Sequence, residues 1–230
     1  MNPEQIKQEI ISDMIKYIED WLMMHPSHRR SASSAETPIP KVLHADSNKL
    51  DSIAAEYSDC KLCRLHETRT NIVSGAGGIS SGLLIIGEAP GAEEDKQGLP
   101  FVGASGELLT KMLSAINLSR EEVFITNIVK CRPPGNRQPN PDEISACKMF
   151  LLRQISEINP KLILLLGSVA AKTLLGDDEI SISKIRGRVF KFQNIPCIPS
   201  YHPAYLLRKP AAKSESWTDL KLVKKMLDES

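Results

Sequence analysis

The chain has 230 residues and a mass of 25.5 kDa, with 41% hydrophobic and 25% charged residues, enough for one domain of ordinary size plus an appendage. No uncharged apolar run approaches the roughly 20 residues that a bilayer span needs, and the opening MNPEQIKQEIISD carries acids where a secretory signal carries positive charge, so a cytoplasmic protein without a membrane anchor is expected. The net charge of +1 hides a gradient: residues 1–58 hold 6 Lys+Arg against 9 Asp+Glu, which leaves 29 − 6 = 23 against 28 − 9 = 19 in the remainder, a balance that neither demands nor excludes nucleic acid.

The first segment opens with Asn2 as a cap, Pro3 at the first helical position and Gln5 at the reciprocal capping position. Ile6, Ile10, Met14, Tyr17, Ile18 and Trp21 follow at helical spacing, so residues 1–28 read as an amphipathic accessory helix that packs on the body or on a protein partner. Residues 29–47, small, polar and Pro-containing, read as a flexible linker. Residues 48–230 form the main domain.

That domain alternates its elements. KLDSIAAEY reads as helix, LLIIG at 83–87 and VFITNI at 123–128 as buried strands, and KLILLLG at 161–167 and IPCIPSY at 195–201 likewise. Helices are expected at GELLTKMLSAI after Ser105, at PDEISACKMFLLRQISEI after Asn140, at VAAKTLLG after Ser168, and in a closing segment with Trp217, Leu220, Val223 and Leu227 on one face. Strands apolar throughout and alternating with helices indicate an α/β fold, a three-layer α/β/α sandwich around a central four-stranded, mostly parallel sheet. Ligands of such sheets gather at the carboxyl ends of the strands, which puts GEAPGAEED, NIVKCRPPGN and SYHPAYLLR on one rim. GEAPGAEED is acidic and unlike a phosphate cradle, which argues against a nucleoside triphosphate.

The cysteines are Cys60, Cys63, Cys131, Cys147 and Cys197. In a cytoplasmic protein the C-x2-C pair and the later C-x15-C pair point to metal or redox chemistry rather than disulfides. Spacing leans slightly toward an iron–sulfur cluster over zinc. Buried core thiols are a serious alternative for each cysteine singly and a poor one for all four, whereas Cys197, in an apolar strand, is most simply core.

Taken in order, GEAPGAEED with PFVG, TNIVKCRPPGNR, SYHPAYLLR and four of the cysteines resemble the family 4, iron–sulfur members of the uracil-DNA glycosylase superfamily, over about residues 58–228. The resemblance implies a monofunctional glycosylase that flips uracil out of single- or double-stranded DNA and hydrolyses its glycosidic bond in base-excision repair. It implies a 4Fe–4S cluster on Cys60, Cys63, Cys131 and Cys147, with zinc as the alternative, and a monomer. Phe101 would stack on the flipped base, and Asn127 would read uracil against cytosine. Glu94 would crowd the edge where thymine carries its methyl group, and the amide of Ala89 would face uracil O2. His202 would donate to O2 as negative charge develops there. Asn136 would lie near the pocket or the DNA. Leu206, Leu207 and Arg208 occupy the position of a DNA-inserting loop.

Glu88 is a carboxylate at the end of the first strand, suited to orienting water or to facing a cationic sugar. Each of these residues also has a plain structural reading: a core Phe, a strand-end Asn in a turn, a His before Pro, a surface turn at Asn136. Glu93 and Asp95 read as solvated charges, and Lys130, Arg132 and Arg137 as scattered surface charge or further phosphate contacts. No Lys of the quoted pocket stands ready for a Schiff base, so no strand cleavage is expected. The rival functions are an iron–sulfur redox protein and a nucleic-acid-binding module without glycosylase activity.

Overall fold

The computed structural model describes residues 47–229; the accessory helix and nearly all of the linker expected from the sequence lie outside them. Six strands, β1 (Ala76–Gly77), β2 (Leu83–Gly87), β3 (Phe124–Asn127), β4 (Leu162–Leu166), β5 (Phe190–Phe192) and β6 (Ile195–Ser200), form one sheet in the order β1-β3-β2-β4-β6-β5. The central four are parallel, and short antiparallel strands close both edges. The four central strands are those expected from the sequence. The edge strands were not legible there, because two or three residues carry no periodicity.

Alternate residues of the same strand feed opposite faces. Leu83 and Ile85 pack with Leu109, Met112 and Leu113 of α3 (Ala104–Ser114) and with Leu220 and Val223 of α8 (Lys213–Asp228). Leu84 and Ile86 pack with Leu151, Ile155 and Ile158 of α4 (Pro141–Ile158) and with Ala170 and Leu174 of α5 (Ser168–Leu175). Both faces of the sheet are therefore covered, which is why its strands are apolar throughout. Helix α1 (Ser47–Glu56) adds a satellite core in which Ile53 and Tyr57 meet Phe150.

Two short helices sit on the rim, α2 (Ala92–Gln97) and α7 (Pro203–Arg208), and α6 (Ile182–Ile185) precedes β5. The acidic stretch read as a loop thus contains α2. Three successive acids in its first turn suit the positive end of the peptide dipoles, and Gly98, at φ 71°, ends it in the left-handed conformation.

Asp95 is a correction to the sequence reading: it is buried, and its carboxylate accepts from the amides of Thr70 (2.9 Å) and Asn71 (3.2 Å). Glu93 is exposed and pairs with Lys96. The chain leaves β2 to one side to form β3 and then crosses to β4, so the crevice at the carboxyl ends of β2 and β4 is the switch point at which such folds bind ligands.

Candidate active site

Gly87 and Asn127 end adjacent parallel strands and stand opposite each other in the ladder. A Cβ on Gly87 would fall 2.4 Å from Asn127 Oδ1 and 2.7 Å from Phe101 Cζ, so only glycine lets these two side chains meet across the strand end. Asn127 is 1% exposed, and its Oδ1 is the one buried side-chain oxygen or nitrogen without a hydrogen-bond partner among the described residues. Leaving such an acceptor unpaired costs about 1–3 kcal/mol, which marks a position where a ligand donor belongs.

Phe101 is buried and has φ 53°, a left-handed conformation that a bulky residue adopts only when its surroundings impose it. Two devices impose it. The carboxylate of Glu94 accepts from the amides of Gly91 (3.1 Å), Val102 (2.9 Å) and Gly103 (3.0 Å), clamping the chain just beyond Phe101. The Phe101 carbonyl lies so close to Gly106 that a Cβ there would sit 1.8 Å from its oxygen. In addition, Arg120 donates to the carbonyl of Pro100 at 2.7 Å.

The ring of His202 stacks beside Phe101, with centroids 5.5 Å apart and planes at 30°. His202 caps α7: its Nδ1 accepts from the Ala204 amide at 3.1 Å, which assigns the ring proton to Nε2. Burial, helped by the nearby Arg208 guanidinium, lowers its pKa to about 4, so at neutral pH it is an uncharged N–H donor. Gly167, at φ 92° after β4, lets the histidine approach, since a Cβ there would lie 3.2 Å from His202 Cβ.

Glu88 follows Gly87 and is half-buried, and burial raises its pKa above the ordinary carboxylate value. Backbone bonds from Ile128 to Gly87 and from Val129 to Glu88 fix this turn, and Ala89 packs against the core behind it.

The remaining candidates divide. Asn136 is exposed in a turn at φ 56°, where its Oδ1 accepts from Arg132 at 2.8 Å. Leu206 corrects the inserting-loop expectation: it is 1% exposed in the core under α3 and cannot serve as an outward wedge, whereas Leu207 is 44% exposed and Arg208 is exposed beside it. Lys130 is no phosphate contact either, being 1% exposed. Its ammonium donates to Thr126 Oγ1 (2.6 Å), the Asn127 carbonyl (2.8 Å) and Gln154 Oε1 (2.7 Å). Arg137 forms a two-pronged pair with Glu143 at the start of α4.

On the α4 side of the sheet, Cys60, Cys63, Cys131 and Cys147 line one pocket, joined by Arg69 and Lys130 and by the apolar Tyr57, Ile72 and Phe150. Arg69 Nη1 donates to the Cys60 carbonyl at 2.8 Å and approaches Cys131 Sγ at 3.4 Å. None of the four is in a disulfide. They surround a common space without being drawn together: among the described residues no three His, Cys, Asp or Glu groups are gathered as a metal site. Four soft donors around one pocket with two cations in its wall fit an anionic thiolate-bound centre. Cys197 is buried in β6, away from this pocket, as core.

Sequence reasoning gave no role to Gly87 or Arg69 and read Lys130 as surface charge or a phosphate contact. A glycine ending an otherwise apolar strand was the one available signal for Gly87. Nothing in the sequence separated the other two from surface cations.

A family model described as the uracil DNA glycosylase superfamily matches residues 74–221. The chain is 44% identical over 181 residues to a type-4 uracil-DNA glycosylase of Archaeoglobus fulgidus, covering 76% of this chain and 91% of that protein. It is 46% identical over 172 residues to the type-4 enzyme of Pyrobaculum aerophilum, covering 70% and 86%. Against the type-5 enzyme of the same organism, identity falls to 28% over 146 residues, covering 56% and 64%.

Proposed function

The chain belongs to the type-4 family of the uracil-DNA glycosylase superfamily, and from that premise we propose how its own residues excise uracil from DNA. The observation that carries the reading is the orphaned Asn127 Oδ1 at the end of β3. Uracil offers a donor at N3 and an acceptor at O4, so one carboxamide can accept from the first and donate to the second. Cytosine presents the reverse pattern, and it would leave the same buried oxygen facing an acceptor.

The flipped base enters the crevice between the ends of β2 and β4 and stacks on Phe101. Glu94, whose two oxygens are held by three backbone amides, fixes the wall on the side where thymine would carry its methyl group. As the glycosidic bond lengthens, electrons move onto the base and O2 gains negative charge. His202, neutral and protonated on Nε2, donates there together with the Ala89 amide, and no proton need be transferred. The carboxylate of Glu88 faces the cationic sugar and orients the water that attacks C1′; the C1′–N1 bond breaks with its electron pair on the base, and the proton that the water gives up balances the uracil anion that departs, leaving an abasic site. Leu207 fills the gap in the duplex, and Arg208 and Asn136 contact the strand.

Lys130, whose ammonium reaches the Asn127 carbonyl, is engaged by three acceptors and is not available to form a Schiff base, which supports a glycosylase that leaves the strand intact. Cys60, Cys63, Cys131 and Cys147 would hold a 4Fe–4S cluster. Its contribution when bound is to tie residues 58–66 to 131–147 beside the active site, since hydrolysis transfers no electron.

The test is incubation with matched oligonucleotides containing a single uracil, thymine or cytosine, followed by alkali, together with the visible spectrum of the protein. Cleavage at uracil alone, dependent on alkali, from a brown protein is the expected result. A brown protein that binds DNA but releases no base would replace this reading with the binding or redox alternative.

A further inference from the structure

Lys130 is a long charged side chain in the interior, and the glycosylase chemistry described above makes no use of it. Buried lysines are costly unless their three donors are met, and here all three are, by Thr126 Oγ1, the Asn127 carbonyl and Gln154 Oε1. None of these acceptors is a carboxylate, so charge balance has to come from elsewhere. The same residue lines the pocket of Cys60, Cys63, Cys131 and Cys147, where Arg69 is the other cation, and its charge acts on Cys147. A centre bound by four thiolates carries net negative charge, and a buried ammonium within electrostatic reach of it is the complement of that charge.

We propose that Lys130 is a positioning residue that spans the two pockets: charge-matched to the thiolate-bound centre on one side, it holds the Asn127 main chain on the other and so fixes the carboxamide that reads the base. The inference rests on the uracil-reading role proposed for Asn127. The geometry favours it over simple core packing. Thr126, Asn127 and Lys130 lie within one turn of chain at the end of β3, and Gln154 reaches them from α4, where its Nε2 also donates to the Ser74 carbonyl at 2.8 Å. Three acceptors from two segments therefore converge on one ammonium, at the strand end that carries the orphaned oxygen. Removing the ammonium leaves the Asn127 carbonyl without this donor and Gln154 Oε1 with only the longer bond from Thr126 Oγ1 (3.4 Å), and frees the strand end to shift.

The experiment compares holoenzyme and its Lys130→Met variant in binding DNA that carries a non-cleavable 2′-fluorodeoxyuridine, against the same strand with cytosine. The expected result is about tenfold weaker binding to the uracil strand and unchanged binding to the cytosine strand, the size of effect that follows when a displaced Asn127 carboxamide loses one hydrogen bond to the base. In an Asn127→Ala background the Lys130 substitution is silent, because its effect passes through Asn127.

A second readout is the midpoint potential of the iron centre. It moves to more negative values in Lys130→Met, since a cation that favours the reduced form has gone. Equal weakening on both strands would mean that the substitution disturbs the DNA-binding surface as a whole and not the reading of the base. No weakening, or losses that simply add in the double variant, would make it packing. Each of these outcomes overturns the proposal. Lys130→Gln, which keeps a donor, runs the same cycle if the Met variant does not fold. A wild-type protein that prefers neither strand refutes the uracil reading itself, a result distinct from all of these.

Discussion

Gly87, Asn127 and His202 stand at the ends of parallel strands, whereas three of the four cysteines stand on loops and the fourth on α4. The first set is fixed by the sheet itself: ladder partners hold Gly87 against Asn127, three amides bind Glu94, and a helix cap orients His202. The second set has little backbone in common, and its walls are joined through side chains: Arg69 bonds Cys60 and approaches Cys131, Arg64 pairs with Asp142, and Gln154 donates to Tyr57. A preformed pocket can select by the cost of an unmet hydrogen bond. A pocket lined by loops needs what it binds in order to be rigid. Substitutions in the first should therefore change rate with little change in stability, and substitutions in the second should do the reverse.

The largest effect is expected for His202→Ala. Loss of the donor to O2 should lower single-turnover excision by about 100- to 1,000-fold. The helix cap it also removes should cost only about 1 kcal/mol in a denaturation curve.

Gly87→Ala should come next, with a loss of about 100-fold, because the new methyl group occupies the space between Asn127 and Phe101 and displaces the base from its reacting position. A rate close to wild type would mean that the base does not sit against this strand end.

Cys147→Ser tests the other side of the comparison. Metal content should fall, and the melting temperature with it by about 10 °C, while excision by the folded fraction at low temperature falls less than in Gly87→Ala. A loss of rate without loss of stability would show that the two pockets are not divided as argued.

The pH profile sharpens the same division. His202 has its pKa lowered to about 4, so excision should show no inflection at the ordinary histidine value near 6.5. The sign for stability follows: between about pH 4 and 6.5 the unfolded chain binds the proton that the native histidine refuses, so this contribution rises with pH and is lost on acidification. The acid limb of the rate should report Glu88, whose pKa burial raises above 4.5. Glu88→Gln should lose about tenfold in rate at neutral pH and should lose that limb. A limb that survives the substitution assigns it to another group.

The four central strands and the long helices were legible because burial on both faces writes itself as uninterrupted apolar runs and 3.6-residue periodicity. The rim was legible only as a set of residue types. Nothing in GEAPGAEED distinguishes Asp95, buried against two amides, from Glu93 in solvent, because both belong to a six-residue helix whose inner side is set by a distant segment at Thr70 and Asn71. Lys130 read as surface because a lysine is seldom interior, and only the convergence of Thr126, the Asn127 carbonyl and Gln154 makes it so. The resemblance supplied the roles, and the fold supplied the orientation of each side chain.

Orientation also decides the smallest effect. Leu206 and Leu207 are indistinguishable in sequence, yet the turn of α7 sends the first into the core and leaves the second 44% exposed beside Arg208. A wedge acts only where a flipped base leaves a gap in stacked duplex, and a single strand has no such gap to fill. Leu207→Ala should therefore slow excision from duplex DNA by about threefold to tenfold, a part of the few kcal/mol that unstacking costs, and should leave single-stranded substrate untouched. Leu206→Ala should instead destabilise the protein by about 2–5 kcal/mol with no distinction between the two substrates. If Leu207→Ala slows both substrates equally, the residue supports the position of His202 at the head of the same helix, and the wedge must be sought on another loop of the rim.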